Sequence, residues 1–545
     1  MDAPFVQEAP RPRNGYAQDW LLRSYLQRKL PPEILAAAEL HLVELAELAA
    51  GHLWEAQLAD RLNEPTLTRW DAWGNRIDRI EPTPLWGEAE RLAIRFGLTA
   101  LPYEKPYGAW SRTIQFALTH LVHPVTDVYT CPLAMTDGAA YTLLGSGNAA
   151  LIARALPHLT SRDPAQFWTS GQWMTESTGG SDVGTSRTIA HPQNDGTWRL
   201  YGRKWFTSAA TSQMALTLAR PHGNGPGGSG LAMFYLETRD AQGKLNGIEV
   251  ERLKDKLGTR KVPTAELILD GTLAHLVAGT SHGTRAIEPM LRITRTWNSV
   301  CASSFMRHGL GLASDYAVKR HAFGLALADQ PLHADTLAYL DAESAAAFVL
   351  TFFMVELCGL DDTAGLDADR AALLRILLPI VKATTGKQAA AFASEVIEAF
   401  GGAGYVEDTG VPALLRDSQV LPIWEGTTNV LALDLLLRAD LDAGLKALRE
   451  ALTTACAAAG DPQLRRAADT ARTALDHAWR WRLSTRDHTA LQAGARRFTL
   501  TLGRALSLAL LVEHAANVLN PADRAAAHAA CARFRQHPVD LICDE

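Results

Sequence analysis

The stretch ALTLARPHGNGPGGSGLAMFYLE, Ala215–Glu237, decides how the rest of the chain is read. Two short apolar bursts flank a run rich in glycine, and such a run between β-patterned segments is most simply a flexible hairpin loop. The pattern continues beyond it, in IEVERL (Ile248–Leu253) and TAELILD (Thr264–Asp270), between Gly, Asn, Asp and Pro turns. A period of two therefore holds from about Trp168 to Gly279, which predicts a small β domain. Upstream, ILAAAELHLVELAELAAGHLWEAQLADRL (Ile34–Leu62) has apolar residues recurring every three and four positions, and helix is expected from about Pro31 to Leu159. After Thr284 the helical period returns in long stretches, among them Leu332–Leu360 and Leu366–Phe400, whose short connections suggest an antiparallel bundle. Leu441–Glu545 is helical and Ala-rich again, with Pro462 and Pro521 as helix starts. The order is α, β, α with an extra helical region, drawn here as segments 1–164, 165–281, 282–440 and 441–545.

Bulk properties narrow the function classes. A chain of 545 residues exceeds one compact core, so two to four domains are expected. With 47% hydrophobic and 21% charged residues the composition is that of an ordinary globular protein. A net charge of -6 argues against a whole surface that coats nucleic acid or anionic membrane, so such a partner would need a local patch. The six cysteines, Cys131, Cys301, Cys358, Cys456, Cys531 and Cys543, form no C-x-x-C pair and read as buried thiols in a reducing compartment. The first twenty residues contain no apolar signal-peptide core, and no segment reaches the ~20 uninterrupted apolar residues of a membrane span. The best candidate, LSLALLVEHAANVL, is broken by Glu513 and His514, so a cytoplasmic protein without a membrane partner is expected.

Several short segments carry chemistry. GSGNAA (Gly145–Ala150) fits a dinucleotide G-x-G-x-x-A pattern but follows a helical segment rather than a strand, so it is read as a helix-joining turn. MTESTGGSDVGTSRT (Met174–Thr188) concentrates hydroxyls and glycines, as a loop approaching a flat polar ring or thioester would, though Asx and Ser turns explain it as well. In YGRKWFTSAATS (Tyr201–Ser212) aromatic residues precede hydroxyls, suited either to stacking on and hydrogen bonding a flavin or to a strand core. KRHAFG (Lys319–Gly324) sets Arg320 and Phe323 at a helix end, where they could meet a phosphate and an adenine or simply solvent. In EAFGGAGY (Glu398–Tyr405), Gly401 and Gly402 end a helix and allow close backbone approach. In LPIWEGTTNV (Leu421–Val430), Glu425 either caps the helix that follows or, partly desolvated beside Trp424, acts as a general base.

Taken in order, these motifs resemble the acyl-CoA dehydrogenase flavoprotein family from about Gly145 to Leu437. The family's T-E-x-x-x-G-S-D loop is matched by Thr175–Asp182 and its G-x-K-x-W-x-[ST] strand by Gly202–Ser208, with Phe206 where many members carry Trp. Its R-x-x-F-G helix end is matched by Arg320–Gly324, its G-G-x-G-[YF] turn by Gly401–Tyr405, and its E-G-T segment begins at Glu425. Two departures stand out: Ser-Thr-Gly follows Thr-Glu where Pro-Gly-Ala is usual, and Glu398 replaces a common Gln. Further segments, ERLKDKLG, KWF, IWEG and the long C-terminal extension, are similar to the AidB-like branch, linked to the adaptive response to DNA alkylation.

The resemblance implies an α+β fold: an N-terminal helical domain, a central small β-barrel or sheet domain, a C-terminal four-helix bundle and an extra C-terminal helical region. It implies an FAD-dependent oxidoreductase that dehydrogenates an acyl-CoA thioester at its α and β carbons, with Glu425 as the α-proton base. Thr175, Phe206 and Ser208 would meet the isoalloxazine, with Ser181 near the thioester or pantetheine. Arg320, Phe323, Gly401, Gly402, Thr427 and Asn429 would hold the rest of the cofactor, in a homotetramer built as a dimer of dimers. The branch also implies an alternative, a flavoprotein bound to double-stranded DNA whose dehydrogenase activity is vestigial. Residues 441–545 hold 14 Lys plus Arg against 11 Asp plus Glu, a net +3 on a body of -9. Arg480, Arg482, Arg496 and Arg497 at helical spacing, with Trp479 and Trp481 nearby, are the candidate phosphate contacts; a solvated arginine face over core tryptophans, or a tetramer interface, is the competing reading.

Overall fold

The computed structural model describes residues 6–437 and 440–543; residues 1–5, 438–439 and 544–545, which fall in the expected first, third and fourth segments, lie outside them. The chain divides into two compact units. One comprises Ala59–Glu104 and Thr126–Trp297, the other Met1–Leu58, Lys105–Val125 and Asn298–Glu545.

The first unit is built on strands. A hairpin of β1 (Thr66–Trp70) and β2 (Arg76–Glu81) forms a separate two-stranded sheet that packs on a seven-stranded one. That sheet comprises β3 (Ser170–Trp173), β4 (Ile189–Pro192), β5 (Trp198–Thr207), β6 (Met214–Pro221), β7 (Ala232–Glu237), β8 (Ile248–Leu253) and β9 (Ala265–Leu276). Its order is β3-β6-β4-β5-β9-β7, with β8 on β9; β7 also pairs with β6, so β6, β4, β5, β9 and β7 close into a ring. Closure removes the open edges of these five strands, while β3 and β8 lie outside the ring. Trp173, Leu200, Phe234, Leu236, Leu267 and Leu269 fill the core. Since β6 and β7 are antiparallel neighbours, the glycine-rich segment between them is the expected hairpin loop. GSGNAA is the expected helix-joining turn: Gly147 ends Thr130–Ser146 in the left-handed region (φ 68°), and the Asn148 side chain accepts from Leu151 N (3.2 Å) to start Ala149–Leu159.

The β1–β2 hairpin corrects the expectation of unbroken helix from Pro31 to Leu159. Its strands carry Thr, Trp and Ile, which suit pleated backbone. Its tip is an Asx turn in which Asp71 Oδ1 accepts from Trp73 N and Asn75 N, both at 2.8 Å, with Gly74 left-handed at φ 82°.

The second unit is helical, and the Pro331–Ala364 and Ala368–Ala399 helices are its axis. Gly365 (φ 74°) turns the chain between them, and Asp367 caps the second by accepting from Arg370 N at 2.8 Å. The later helices, Leu441–Ala457, Pro462–Ser484, His488–Asn517 and Pro521–Arg535, pack with this pair inside the same unit. Pro462 and Pro521 start their helices as expected. Two glycines let backbones close in: a Cβ at Gly503 would lie 2.1 Å from Thr384 Oγ1, and one at Gly444 2.5 Å from Ile376 Cγ2. Arg504 crosses to Glu343 (2.8 Å), so the extension is joined to the bundle by charge as well as by apolar packing.

Two expectations need correction. Among the described residues Pro331–Ala364, not the Leu506–Leu519 stretch, is the helix long and apolar enough to cross a membrane, and 83% of its apolar window is buried within the protein. Of the six cysteines, Cys543 is exposed, because it lies past the last helix where nothing packs over it; the other five are buried.

Candidate active site

In the β unit, the loop after β3 and the end of β5 are tied together by one buried ion pair. Glu176 is 3% exposed and accepts from Lys204 Nζ (2.8 Å), Thr188 Oγ1 (2.6 Å) and Arg187 N (2.6 Å). Lys204, fully buried, also donates to Leu218 O at 2.7 Å. Burial alone would raise the Glu176 carboxyl, but the ammonium and these hydrogen bonds hold it below the usual carboxylate value; burial pulls Lys204 down in turn. Trp205 N donates to Thr175 O (3.0 Å), which docks the loop on the strand. Gly202 is required here, since a Cβ would fall 2.4 Å from Thr188 Oγ1.

This scaffold displays the ring-facing candidates. Phe206 is 52% exposed at the end of β5, and Lys254 Nζ lies over the rings of Trp205 (3.6 Å) and Phe206 (4.6 Å), anchored to Glu266 at 2.7 Å. Ser208 is half-buried with its Oγ 3.2 Å from Thr264 Oγ1. Thr175 is half-buried, packed so that a Cβ on Gly180 would reach its Oγ1 at 2.8 Å. Ser181 is exposed, next to Asp182, whose carboxylate accepts from Gly184 N at 3.2 Å. Arg220 donates to Gly184 O (3.0 Å) and to Gly227 O (3.1 Å), clamping this loop to the glycine-rich hairpin loop. An exposed aromatic face beside two hydroxyls on a rigid loop is a donor set that fits a flavin ring.

In the helical unit, Glu425 is half-buried and left-handed at φ 58°, followed by Gly426 at φ 101°. A non-glycine residue in that region costs on the order of 1–3 kcal/mol and persists where surroundings over-determine it. Lys382, fully buried in the Ala368–Ala399 helix, donates to Gly426 O at 2.6 Å. One turn on, Gly386 lets Leu421 O approach to 3.1 Å of where its Cβ would be. The N-cap of Thr428–Leu437 is Thr427, whose Oγ1 accepts from Val430 N (3.4 Å) and whose carbonyl accepts from Leu431 N (2.9 Å). Asn429 is exposed in that first turn.

The dinucleotide candidates share this unit. Arg320, half-buried, precedes a hairpin of β10 (His321–Ala322) and β11 (Leu325–Ala326). Phe323 (φ 52°) and Gly324 (φ 83°) form its tip, and Phe323 is 99% exposed. Gly401 (φ 58°) and Gly402 are exposed just past the Ala368–Ala399 helix, with open space where a Cβ would stand. On the C-terminal extension Arg480 and Arg496 are exposed, Arg497 is half-buried, and Arg482 is paired with Asp442 at 3.2 Å. Trp481 is packed in, its ring 2.1 Å from where a Cβ on Gly494 would be.

Sequence reasoning assigned no role to Lys382 or to Lys254 and Lys256. Lys382 had a visible signal, a lone charge inside the apolar run ILLPIVKATTG.

Residues 281–439 match the acyl-CoA dehydrogenase C-terminal domain, 171–272 its middle domain, and 7–164 the N-terminal domain of the adaptive response protein AidB. The chain therefore belongs to the acyl-CoA dehydrogenase family, in its AidB-like branch. It is similar to acyl-CoA dehydrogenase family member 11 of Caenorhabditis elegans, 39% identical over 98% of this chain and 90% of that one. AidB of Escherichia coli K12 is 31% identical over 70% of this chain and 71% of that protein. The crystal structure of C. elegans ACDH-11 in complex with C11-CoA superposes with a TM-score of 0.94 at 36% identity, covering 99% of this chain and 94% of the other. The protein is an oxidoreductase of the acyl-CoA dehydrogenase type, and members of this family are flavoproteins that use FAD.

Proposed function

We propose that this chain binds FAD and dehydrogenates an acyl-CoA thioester, with Glu425 as the base. The observation that carries the reading is the Glu425–Gly426 turn, a carboxylate in a left-handed backbone whose following carbonyl is fixed by a buried lysine. In the reaction the Glu425 carboxylate takes the α-proton and the Cα–Cβ single bond becomes double, yielding the enoyl thioester. FAD, when bound, supplies the acceptor for the hydride that leaves the β-carbon. The backbone N–H of Glu425 donates to the thioester oxygen as charge develops there.

Thr175, Phe206 and Ser208 hold the flavin ring, and Ser181 lies by the thioester or pantetheine. Arg320, Phe323, Gly401 and Gly402 take the dinucleotide, with Thr427 and Asn429 also on the cofactor. Lys382 is seventeen residues from the helix end at Ala399, so about 26 Å of helix separates the base turn from the dinucleotide turn. That separation supports an FAD site that draws residues from two subunits, and a homotetramer built as a dimer of dimers is the assembly proposed with it. The C11-CoA bound by ACDH-11 supports a medium-to-long acyl chain. The test is anaerobic: FAD-loaded wild type bleaches with acyl-CoA, and Glu425→Gln stays yellow. Undiminished bleaching by Glu425→Gln removes Glu425 from the mechanism.

A second reading, association with duplex DNA, is favoured by exposed Arg480 and Arg496 on the extension. Arg480 also lines a surface groove of about 430 Å³ with Arg449, Thr473, Asp476 and Trp479. Titration with duplex DNA at two salt concentrations tests it: salt-sensitive binding lost on replacing Arg480, Arg496 and Arg497 supports it, and no binding at low salt rejects it.

A further inference from the structure

Lys254 and Lys256 lie in the segment just past the end of β8 at Leu253. Lys254 N donates to Thr264 O (2.8 Å), so the segment runs alongside the start of β9. Lys256 Nζ donates to Val262 O (2.7 Å) and to Thr264 Oγ1 (2.9 Å), and Thr264, 3% exposed, lies 3.2 Å from Ser208 Oγ. A threonine hydroxyl has one proton and two acceptor sites. Lys256 fills one acceptor site, which leaves the Thr264 proton to go to Val262 O (3.3 Å) or to Ser208 Oγ. In the second arrangement the Ser208 proton is directed away from Thr264, and each bond in such a chain polarises the next.

We infer that Lys256 is a positioning residue that acts through Thr264 and Ser208 to raise the reduction potential of the FAD ring. The inference rests on the FAD reading above. Per turnover two electrons arrive with the β-hydrogen as a hydride, while the α-proton goes to Glu425, so negative charge accumulates at the hydride acceptor. A hydroxyl donor polarised by an ammonium two bonds away favours that charge.

The measurement is the potential of FAD-loaded protein, read by equilibration with a reference dye. Lys256→Met and Thr264→Val each shift the equilibrium toward oxidised flavin by about tenfold, roughly 30 mV for a two-electron couple. Lys256→Gln, which keeps a hydrogen-bond donor but loses the charge, falls between. In a Ser208→Ala background Lys256→Met adds less than about twofold, because the route is already cut. If every variant binds FAD and stays within about twofold of wild type, the relay is overturned while the cofactor reading stands. A full tenfold effect in the Ser208→Ala background overturns the route through Ser208. A wild-type protein that refuses FAD overturns the cofactor reading and this inference with it.

Discussion

Two glutamates, each inside a motif of this family, have opposite settings. Glu176 of the β unit is 3% exposed, accepts from a lysine ammonium, a threonine hydroxyl and backbone amides, and is held below the usual carboxylate value. Glu425 of the helical unit is half-buried in a left-handed turn. A carboxylate with its lone pairs committed to an ammonium and three further donors is a poor proton acceptor. Glu176 therefore organises the loop that carries Thr175 and Ser181, and Glu425 is the group to which we assign the chemistry. Sequence proximity to a motif marks both; burial and backbone conformation separate them.

Replacing each in turn breaks the comparison if it is wrong. Glu425→Gln lowers the rate of anaerobic flavin bleaching by about 10²- to 10⁴-fold, with FAD content and thermal midpoint unchanged. Glu176→Gln leaves the Lys204 ammonium buried without its counter-charge and costs on the order of 3–5 kcal/mol, seen in denaturant unfolding and in lost FAD retention. If Glu176→Gln is stable yet inactive, the roles assigned here are reversed.

Acid sharpens the contrast between the units. Burial pushes His120 down to about 4 and His123 to about 3. The unfolded chain takes up protons near pH 6.5 that these side chains refuse in the fold, so their contribution is complete above that pH and declines as pH falls toward 4. For His120 alone the loss is about 3 kcal/mol at pH 4. Asp19, held low despite its burial by its ion pair with Arg307, adds in the same direction: its contribution is present above the unfolded carboxylate pKa and is lost as pH falls through the native one. The thermal midpoint of the helical unit drops between pH 6.5 and 4, and His120→Gln flattens the slope. A midpoint that does not move over this range contradicts the assignment.

The smallest effect concerns the Glu425 turn. Lys382→Met removes the bond to Gly426 O and slows bleaching by about 10- to 100-fold, consistent with loss of a hydrogen bond from a charged donor. The acyl-CoA concentration giving half-maximal rate stays within about twofold, because the lysine fixes the base rather than the ligand. A change in half-saturation alone would assign Lys382 to binding.

Much of this was legible in the sequence. The switch of period at Trp168 gave away the β insert, and helix ends such as Pro462 and Pro521 were marked by their residues. The β1–β2 hairpin was hidden because its strands, Thr66–Trp70 and Arg76–Glu81, are shorter than the helical tract around them. The network of Lys256, Thr264 and Ser208 was not legible, since fifty-six residues separate Ser208 from Thr264 and the β5–β9 pairing brings them together. The left-handed backbone at Glu425 was equally invisible, because residue type alone does not announce a positive φ outside glycine.

The most direct test of the central claim separates proton removal from hydride transfer. With FAD-loaded protein in deuterated buffer and an acyl-CoA that cannot give up a β-hydride, deuterium entry at the α-carbon is followed by NMR. Wild type exchanges the α-proton and Glu425→Gln does not. Exchange at the wild-type rate in Glu425→Gln would contradict the assignment of the base.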